Sequence, residues 1–184
     1  AFNGIAALLH MSVVPSARQE ELRAAASAML QRWDEGFLPE HAALATSIGS
    51  VASRWPEGFR VYPDSDYVVS RRPGWFASVR MTSIRTKSGE RTNDEALLGS
   101  RQSDGRLHLV LRGDEYDGTW PALDWSRLPG ITVEHQPNAA TDLYGYGSRY
   151  FVGGAGDGRS GIAVMDYAPL GTTLTGRRAW IFFD

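Results

Sequence analysis

Histidine and carboxylate spacing is the first place to look for chemistry in this sequence, and it offers no metal site. The four histidines are His10, His41, His108 and His135. None pairs with another or with a carboxylate at the spacing that puts two ligands on one helix face. His108 falls inside an alternating stretch and reads as a strand residue. Neither a metal nor a cofactor is expected. The run FVGGAGDGRSG (151–161) looks like a phosphate-cradling glycine loop. Such a loop needs a helix behind it, with its N-terminus facing the phosphate. GIAVMDY follows instead and reads as a strand, so a turn or bulge is expected. There is no Gly-x-Ser-x-Gly elbow and no Ser, His and Asp set apart as a triad. The absence of cysteine removes disulfides, thiolate metal sites and cysteine nucleophiles together. Trp55, Trp75, Trp120, Trp125 and Trp180 are packing residues in the plain reading. In the sharper one, one or two present an indole face to a pyranose ring.

The elements that must position any such site change character near residue 58. Upstream, Ile5, Leu8, Leu9 and Val13 form a helical stripe. Pro15 and Ser16 break it, with Ser16 as the N-cap of a second helix. Leu22, Ala26, Met29, Leu30 and Trp33 recur there at helical spacing, and Gly36 ends it. A shorter helix is predicted from Pro39 to Arg54, giving an antiparallel helical hairpin. Downstream, RVYPDSDYVVSRR (60–72), GWFASVRMTSIR (74–85), RLHLVLR (106–112), SGIAVMDYAPL (160–170) and RRAWIFFD (177–184) are strand candidates. Turns are expected at Ser103-Asp104-Gly105, Asp117-Gly118, Pro129-Gly130 and Gly153-Gly154. The expected domains are therefore 1–57, helical, and 58–184, a turn-rich β architecture. Both ends read as cut, one inside a helical region and one inside a sheet.

The 184 residues suffice for one or two small domains with a real core. Hydrophobic residues make up 42%, an ordinary share for a globular protein. A formal net charge of -2 gives no reason to expect a nucleic acid or an anionic membrane, which need a basic surface. The nineteen Lys and Arg can still gather in one cleft. No apolar run reaches the roughly 18 residues that span a bilayer.

Residues 71–184 carry a more specific signal. Arg71-Arg72-Pro73-Gly74-Trp75-Phe76 precedes Met81-Thr82-Ser83-Ile84-Arg85. Asn93-Asp94-Glu95-Ala96, Gly99 and Asp104-Gly105 follow. Then come Tyr116, Trp120-Pro121-Ala122-Leu123-Asp124-Trp125 and Leu128-Pro129-Gly130-Ile131-Thr132-Val133, and later Phe151-Val152-Gly153-Gly154, Gly161 to Asp166, and Ala179 to Asp184. In order and spacing this resembles polysaccharide lyase family 8, the hyaluronate, chondroitin AC and xanthan lyases. The family's basic dipeptide, Ser-Ser-Arg-like turn, Asn-x-Glu-Asn, Gly-Trp-Tyr, Tyr-x-x-x-Trp-Pro-x-x-Asp and Pro-Gly-Thr-Thr-Val segments each find a counterpart. Ala96 stands where the family has its second Asn, and Ser100-Arg101 where it has Trp-Tyr.

The resemblance implies an α+β fold: the C-terminal helices of an α/α toroid, then part of an antiparallel β super-sandwich. It also implies a secreted enzyme that cuts uronic-acid-containing polysaccharide by β-elimination. The C5 proton must leave beside a charged carboxylate, so the site must neutralise that carboxylate and supply a base and an acid. In the family, Asn and His serve the first need, a Tyr the second, and an Arg and a Glu support them. The Asn, His, Tyr and Arg would lie on segments before Ala1, so the chain alone would be inactive. The Glu carries over to Glu95, the one catalytic position expected here. Asn93 beside it and Arg85 fall on the substrate side, Arg85 by bracing the Glu95 loop. The plain readings are a polar turn for Asn93 and Glu95 and a strand cap for Arg85. The implied partners are an acidic polysaccharide and the remainder of the same lyase, toroid upstream and strands downstream. The rival reading is a non-catalytic carbohydrate-binding β-sandwich, which needs only a groove and exposed aromatics.

Overall fold

The computed structural model describes residues 15–32, 46, 48, 52, 54–89, 97–134 and 143–183. The chain divides into two compact units, Ala1–Pro56 and Glu57–Asp184. In the first, helix α1 spans Ser16–Arg32. The Pro15 carbonyl accepts from the Arg18 and Gln19 amides at 2.8 and 3.2 Å. Pro15 thus takes the cap position and Ser16 the first helical one, a shift of one residue from the sequence expectation. Proline suits it, since an amide there would have no partner inside the helix. The buried face consists of Ala24, Ala25, Ala26 and Ala28, with Leu22 and Met29 only half-buried. The Ala24 carbonyl accepts from the Arg54 amide at 3.2 Å. The first helical stripe, Trp33, Gly36 and most of the Pro39–Arg54 helix lie outside the described residues.

The second unit is two antiparallel sheets. The first is a meander of β1 (Gly58–Tyr62), β2 (Tyr67–Arg72), β3 (Trp75–Arg80) and β4 (Arg106–Val110). The second runs β5 (Val152–Gly156), β6 (Gly161–Tyr167), β7 (Gly176–Phe182). Period-two alternation sends Val68, Val79 and Leu107, aligned across three strands, to one face. They join Phe59, Ala77, Met81, Ala163, Met165, Tyr167 and Phe182 in a single core between the sheets. Phe59 of β1 and Phe182 of β7 meet with ring centroids 5.4 Å apart.

The run 60–72, a single candidate in sequence, is two strands. Pro63–Ser65 make a 3-10 turn, and Asp66 follows in the left-handed region at φ 46°. Asp117-Gly118 and Pro129-Gly130 are turns with positive φ at each glycine, as their spacing predicts. Gly153-Gly154 differs, lying within strand β5 and not in a turn. The reason is the distance between the sheets: a Cβ on Gly154 would sit 3.2 Å from both Val61 and Val68 of the first sheet. The turn comes after it, where the Asp157 carboxylate accepts from the Arg159 and Ser160 amides at 2.8 and 2.7 Å. Gly161 opens β6 under the Phe59 ring, and the Cβ of any other residue would collide with that ring. Gly161→Ala is therefore expected to destabilise the domain by about 1–3 kcal/mol by forcing Phe59 out of the core. Urea unfolding of the full chain measures this. An unchanged midpoint would show that the ring moves freely.

Candidate functional site

The outer face of the first sheet is built by the strand positions that alternate with the core. Register places Tyr67, Arg80 and Arg106 in one cross-strand row, and Val69, Ser78 and His108 in the next. All of these residues but Val69 line a cleft of about 560 Å³, walled in part by Lys87 and Ser103. Its cations are Arg80, Lys87 and Arg106. Arg106 lies under Trp120, its guanidinium 5.5 Å from the ring, and Trp120 stacks on Trp125 at 5.9 Å. Trp120 is 44% exposed, whereas Trp75 and Trp180 pack against the core. The plain reading of the tryptophans thus holds for the latter two and not for Trp120.

Local hydrogen bonds hold the walls. Glu115 accepts from the Leu111, Arg112 and Gly113 amides at 2.7, 2.6 and 2.9 Å. Led by the Arg112 amide, these bonds pull its carboxyl down to about 2. That turn presents Tyr116, whose ring stacks on His108 at 4.6 Å. Burial, then the Arg106 charge, lowers the His108 pKa, so the imidazole is neutral at neutral pH. Burial likewise lowers Arg106. Lys87 is raised, chiefly by its hydrogen bond to Tyr144, and lies 4.7 Å from that ring and 5.5 Å from Tyr146.

Asn93 and Glu95 lie outside the described residues, as do His10, His41 and His135. The flanks of the 90–96 segment are described. Gly89 lines the cleft. A Cβ on Gly89 would be 2.5 Å from the Gly99 carbonyl oxygen, and the Ser103 amide donates to the Ser88 carbonyl at 3.0 Å. The chain therefore leaves and re-enters the described structure side by side, at the cleft. Arg85 is in a different environment. Its guanidinium pairs with the fully buried carboxylate of Asp66 and donates to the Val152 carbonyl at 3.0 Å.

Arg101 and Asp104 are another internal pair, 3.2 Å apart and almost wholly buried. Arg101 also donates to the Leu170 carbonyl at 3.1 Å. Burial pushes the Asp104 carboxyl up to about 6, and the Arg101 charge only partly offsets it. A raised folded-state pKa means that the folded protein binds the proton more tightly than the unfolded one. The contribution of Asp104 is then full below the unfolded value of about 4 and is lost as pH rises to about 6. Unfolding free energy is expected to fall across that window in the wild type, with a shallower slope in Asp104→Asn. Equal slopes in urea titrations would refute the assignment.

Among the described residues no three His, Asp or Glu side chains gather as a metal site requires. No described helix is long and apolar enough to cross a membrane. The cleft offers three cations to an anion, and none of the described residues that line it is an Asp or a Glu. Sequence reasoning missed Arg80, Lys87 and Arg106. The signal for Arg80 and Arg106 was the polar phase of β3 and β4, which marks a shared face only once the register is known.

Comparison with known proteins decides the lineage. Residues 57–184 match the model of polysaccharide lyase family 8, super-sandwich domain. This chain belongs to polysaccharide lyase family 8. It is 37% identical over 151 residues to the chondroitinase-AC of Pedobacter heparinus, covering 76% of this chain and 21% of that protein. It is 34% identical over 136 residues to a hyaluronate lyase of Thermasporomyces composti, covering 70% of this chain and 17% of that protein. A solved family 8 structure, the Streptomyces coelicolor A3 chondroitin AC lyase in complex with chondroitin sulphate, superposes with a TM-score of 0.82. That match has 27% identity and covers 100% of this chain and 27% of that one. The chain thus spans about a fifth of the length of the curated family 8 relatives it matches.

Proposed function

We propose that this chain is part of a secreted polysaccharide lyase that cleaves uronic-acid-containing polysaccharide, of hyaluronan, chondroitin or xanthan type, by β-elimination. The observation that carries this reading is the match of residues 57–184 to the super-sandwich domain of such lyases. The basic cleft agrees with it, since an acidic chain needs countercharge where it lies. In this reading 1–57 is the end of an α/α toroid and 58–184 the start of the β super-sandwich. Glu95 reaches the reacting sugar's site from the loop whose flanks close on the cleft, where it supports the Tyr and His of the toroid. Asn93 faces the cleft beside it. Arg85 contributes by fixing the turn that precedes this loop. The Tyr takes the C5 proton and returns one to the leaving oxygen. The Asn and His hold the uronate carboxylate as its charge grows in the transition state.

The full-length protein is expected to release unsaturated uronate from at least one of the three polysaccharides, read by ultraviolet absorbance. Residues 1–184 alone are expected to release none, because the base is supplied elsewhere. Turnover by the isolated chain would overturn that division of labour. Silence of the full-length protein on all three, with binding retained, would favour a carbohydrate-binding β-sandwich, for which the exposed Trp120, stacked on Trp125, is the specific observation.

A further inference from the structure

Arg80 and Arg106 stand directly opposite each other on β3 and β4. Like charges in that relation, with Cβ atoms about 5 Å apart, cost a sheet stability. Among the described residues neither has a carboxylate within ion-pair distance; what Arg106 has nearby is the Tyr116 and Tyr67 hydroxyls, the charge of Arg80 and the Trp120 ring. Arg106, which lines the cleft, is only 8% exposed, and its buried Nε–H has no acceptor. The hydroxyl of Ser103, also on the cleft wall and 1% exposed, has no partner either. Buried donors are normally satisfied, and a buried cation left unanswered costs more than a neutral group. A sequence that places two arginines in register, buries one and leaves its Nε–H unfilled is arranged for a ligand that brings the acceptor. Lys87, held at the rim between Tyr144 and Tyr146, adds a third positive charge.

We propose that Arg80, Arg106 and Ser103, with Lys87 at the rim, form a subsite for an oxyanion of the bound polysaccharide, a uronate carboxylate or a sulfate ester. The proposal takes the nature of the ligand from the lyase reading and its geometry from the sheet. The planar guanidinium of Arg106 offers two parallel N–H groups to such an anion, and the Ser103 hydroxyl a third donor. Trp120 shields that contact from water on one side, where a charge-assisted hydrogen bond is strongest. The subsite holds a sugar in register and takes no part in bond breaking. Arg80 and Arg106 are therefore positioning residues.

The test is direct binding of oligosaccharides to the full-length protein, by calorimetry, in wild type, Arg80→Gln, Arg106→Gln and Arg106→Lys. Three ligands are compared: chondroitin sulfate, unsulfated chondroitin, and unsulfated chondroitin with its carboxyls reduced. Each Gln variant is expected to bind the charged oligosaccharides about tenfold more weakly and the neutral one as wild type does. Arg106→Lys should recover only part of the loss, since an ammonium lacks the fork. Loss confined to the sulfated ligand assigns the sulfate ester, and equal loss on both charged ligands assigns the carboxylate. Arg80→Gln should melt no lower than wild type, because it relieves the cross-strand repulsion. This opposite movement of affinity and stability is what a purely structural arginine would not produce. Unchanged affinity of both Gln variants for the charged ligands overturns the subsite. Release of unsaturated product by the wild type is scored separately. Its absence would defeat the lyase reading and leave the subsite to be judged on binding.

Discussion

Glu95→Gln in the full-length protein is expected to lower kcat about a hundredfold or more while KM moves less than about threefold. The C5 proton is weakly acidic as long as the neighbouring carboxylate keeps its full charge. In the proposed mechanism the rate therefore depends on how well the Tyr base and the carboxylate-binding Asn and His are held when that charge redistributes. A glutamate that supports them acts on the transition state and scarcely on the bound ground state, and its loss appears in kcat. Gln keeps the size and one acceptor but removes the negative charge that an Arg or a His answers. Asn93→Ala, if Asn93 meets the sugar as proposed, should by contrast raise KM as well. Both positions are polar, in a segment entered and left at the cleft, so neither change should shift the melting temperature appreciably. Steady-state kinetics with a thermal melt of each variant decides the matter. A kcat equal to wild type for Glu95→Gln would return it to the plain role of a polar turn residue.

The fold was readable where alternation and turn chemistry agree. RLHLVLR yields β4 because its apolar phase meets Val79 and Val68 across the register. The motif order around Trp120-Pro121 and Pro129-Gly130 carried the family, later met again in the match of 57–184. The glycine-rich strand β5 read as a turn from its residues, and as a strand only through the family resemblance of Phe151 to Gly154. Its residues have low β propensity, and what places them there is the close approach of Val61 and Val68 from another sheet. The cleft was equally hidden. Arg80 and Arg106 are 26 positions apart in sequence and adjacent only through the β3–β4 pairing. Ser100-Arg101, read as a departure from the family's aromatic pair, has an internal use: Arg101 turns inward to Asp104 and the Leu170 carbonyl. Its partner was three residues away, a spacing that sequence reading passed over because charged pairs are seldom buried. Arg85 was placed on the substrate side by motif alone, and its Asp66 partner lies across a turn that the single strand candidate 60–72 had concealed.

Arg85→Ala is expected to destabilise the sheet domain by about 3 kcal/mol, because it strands a charge in the core. The Asp66 side chain is 0% exposed. Its carboxylate accepts from the Arg85 guanidinium and from the Thr86 hydroxyl at 2.5 Å. Its carbonyl accepts from the Met81 amide at 2.9 Å. Asp66 also occupies the left-handed position that closes the β1–β2 turn, which Asp tolerates better than most residues. Through Arg85 the same group reaches the Val152 carbonyl of β5, so one ion pair joins the hairpin, the end of β3 and the second sheet. Asp66→Asn removes the charge and keeps the shape. In that background the loss of Arg85 no longer leaves a buried anion, and the double variant should be more stable than the two single costs add up to, by over about 1 kcal/mol. The cycle also settles how Arg85 serves the site. The Arg85 side chain keeps 42% of its surface in solvent, enough to touch a ligand as well. If Arg85→Ala lowers the melting temperature and leaves oligosaccharide affinity intact, Arg85 acts only by holding the 83–86 turn on the approach to Asn93 and Glu95. If affinity falls in the Asp66→Asn background, where the fold has already been relieved of its buried charge, Arg85 touches the sugar directly.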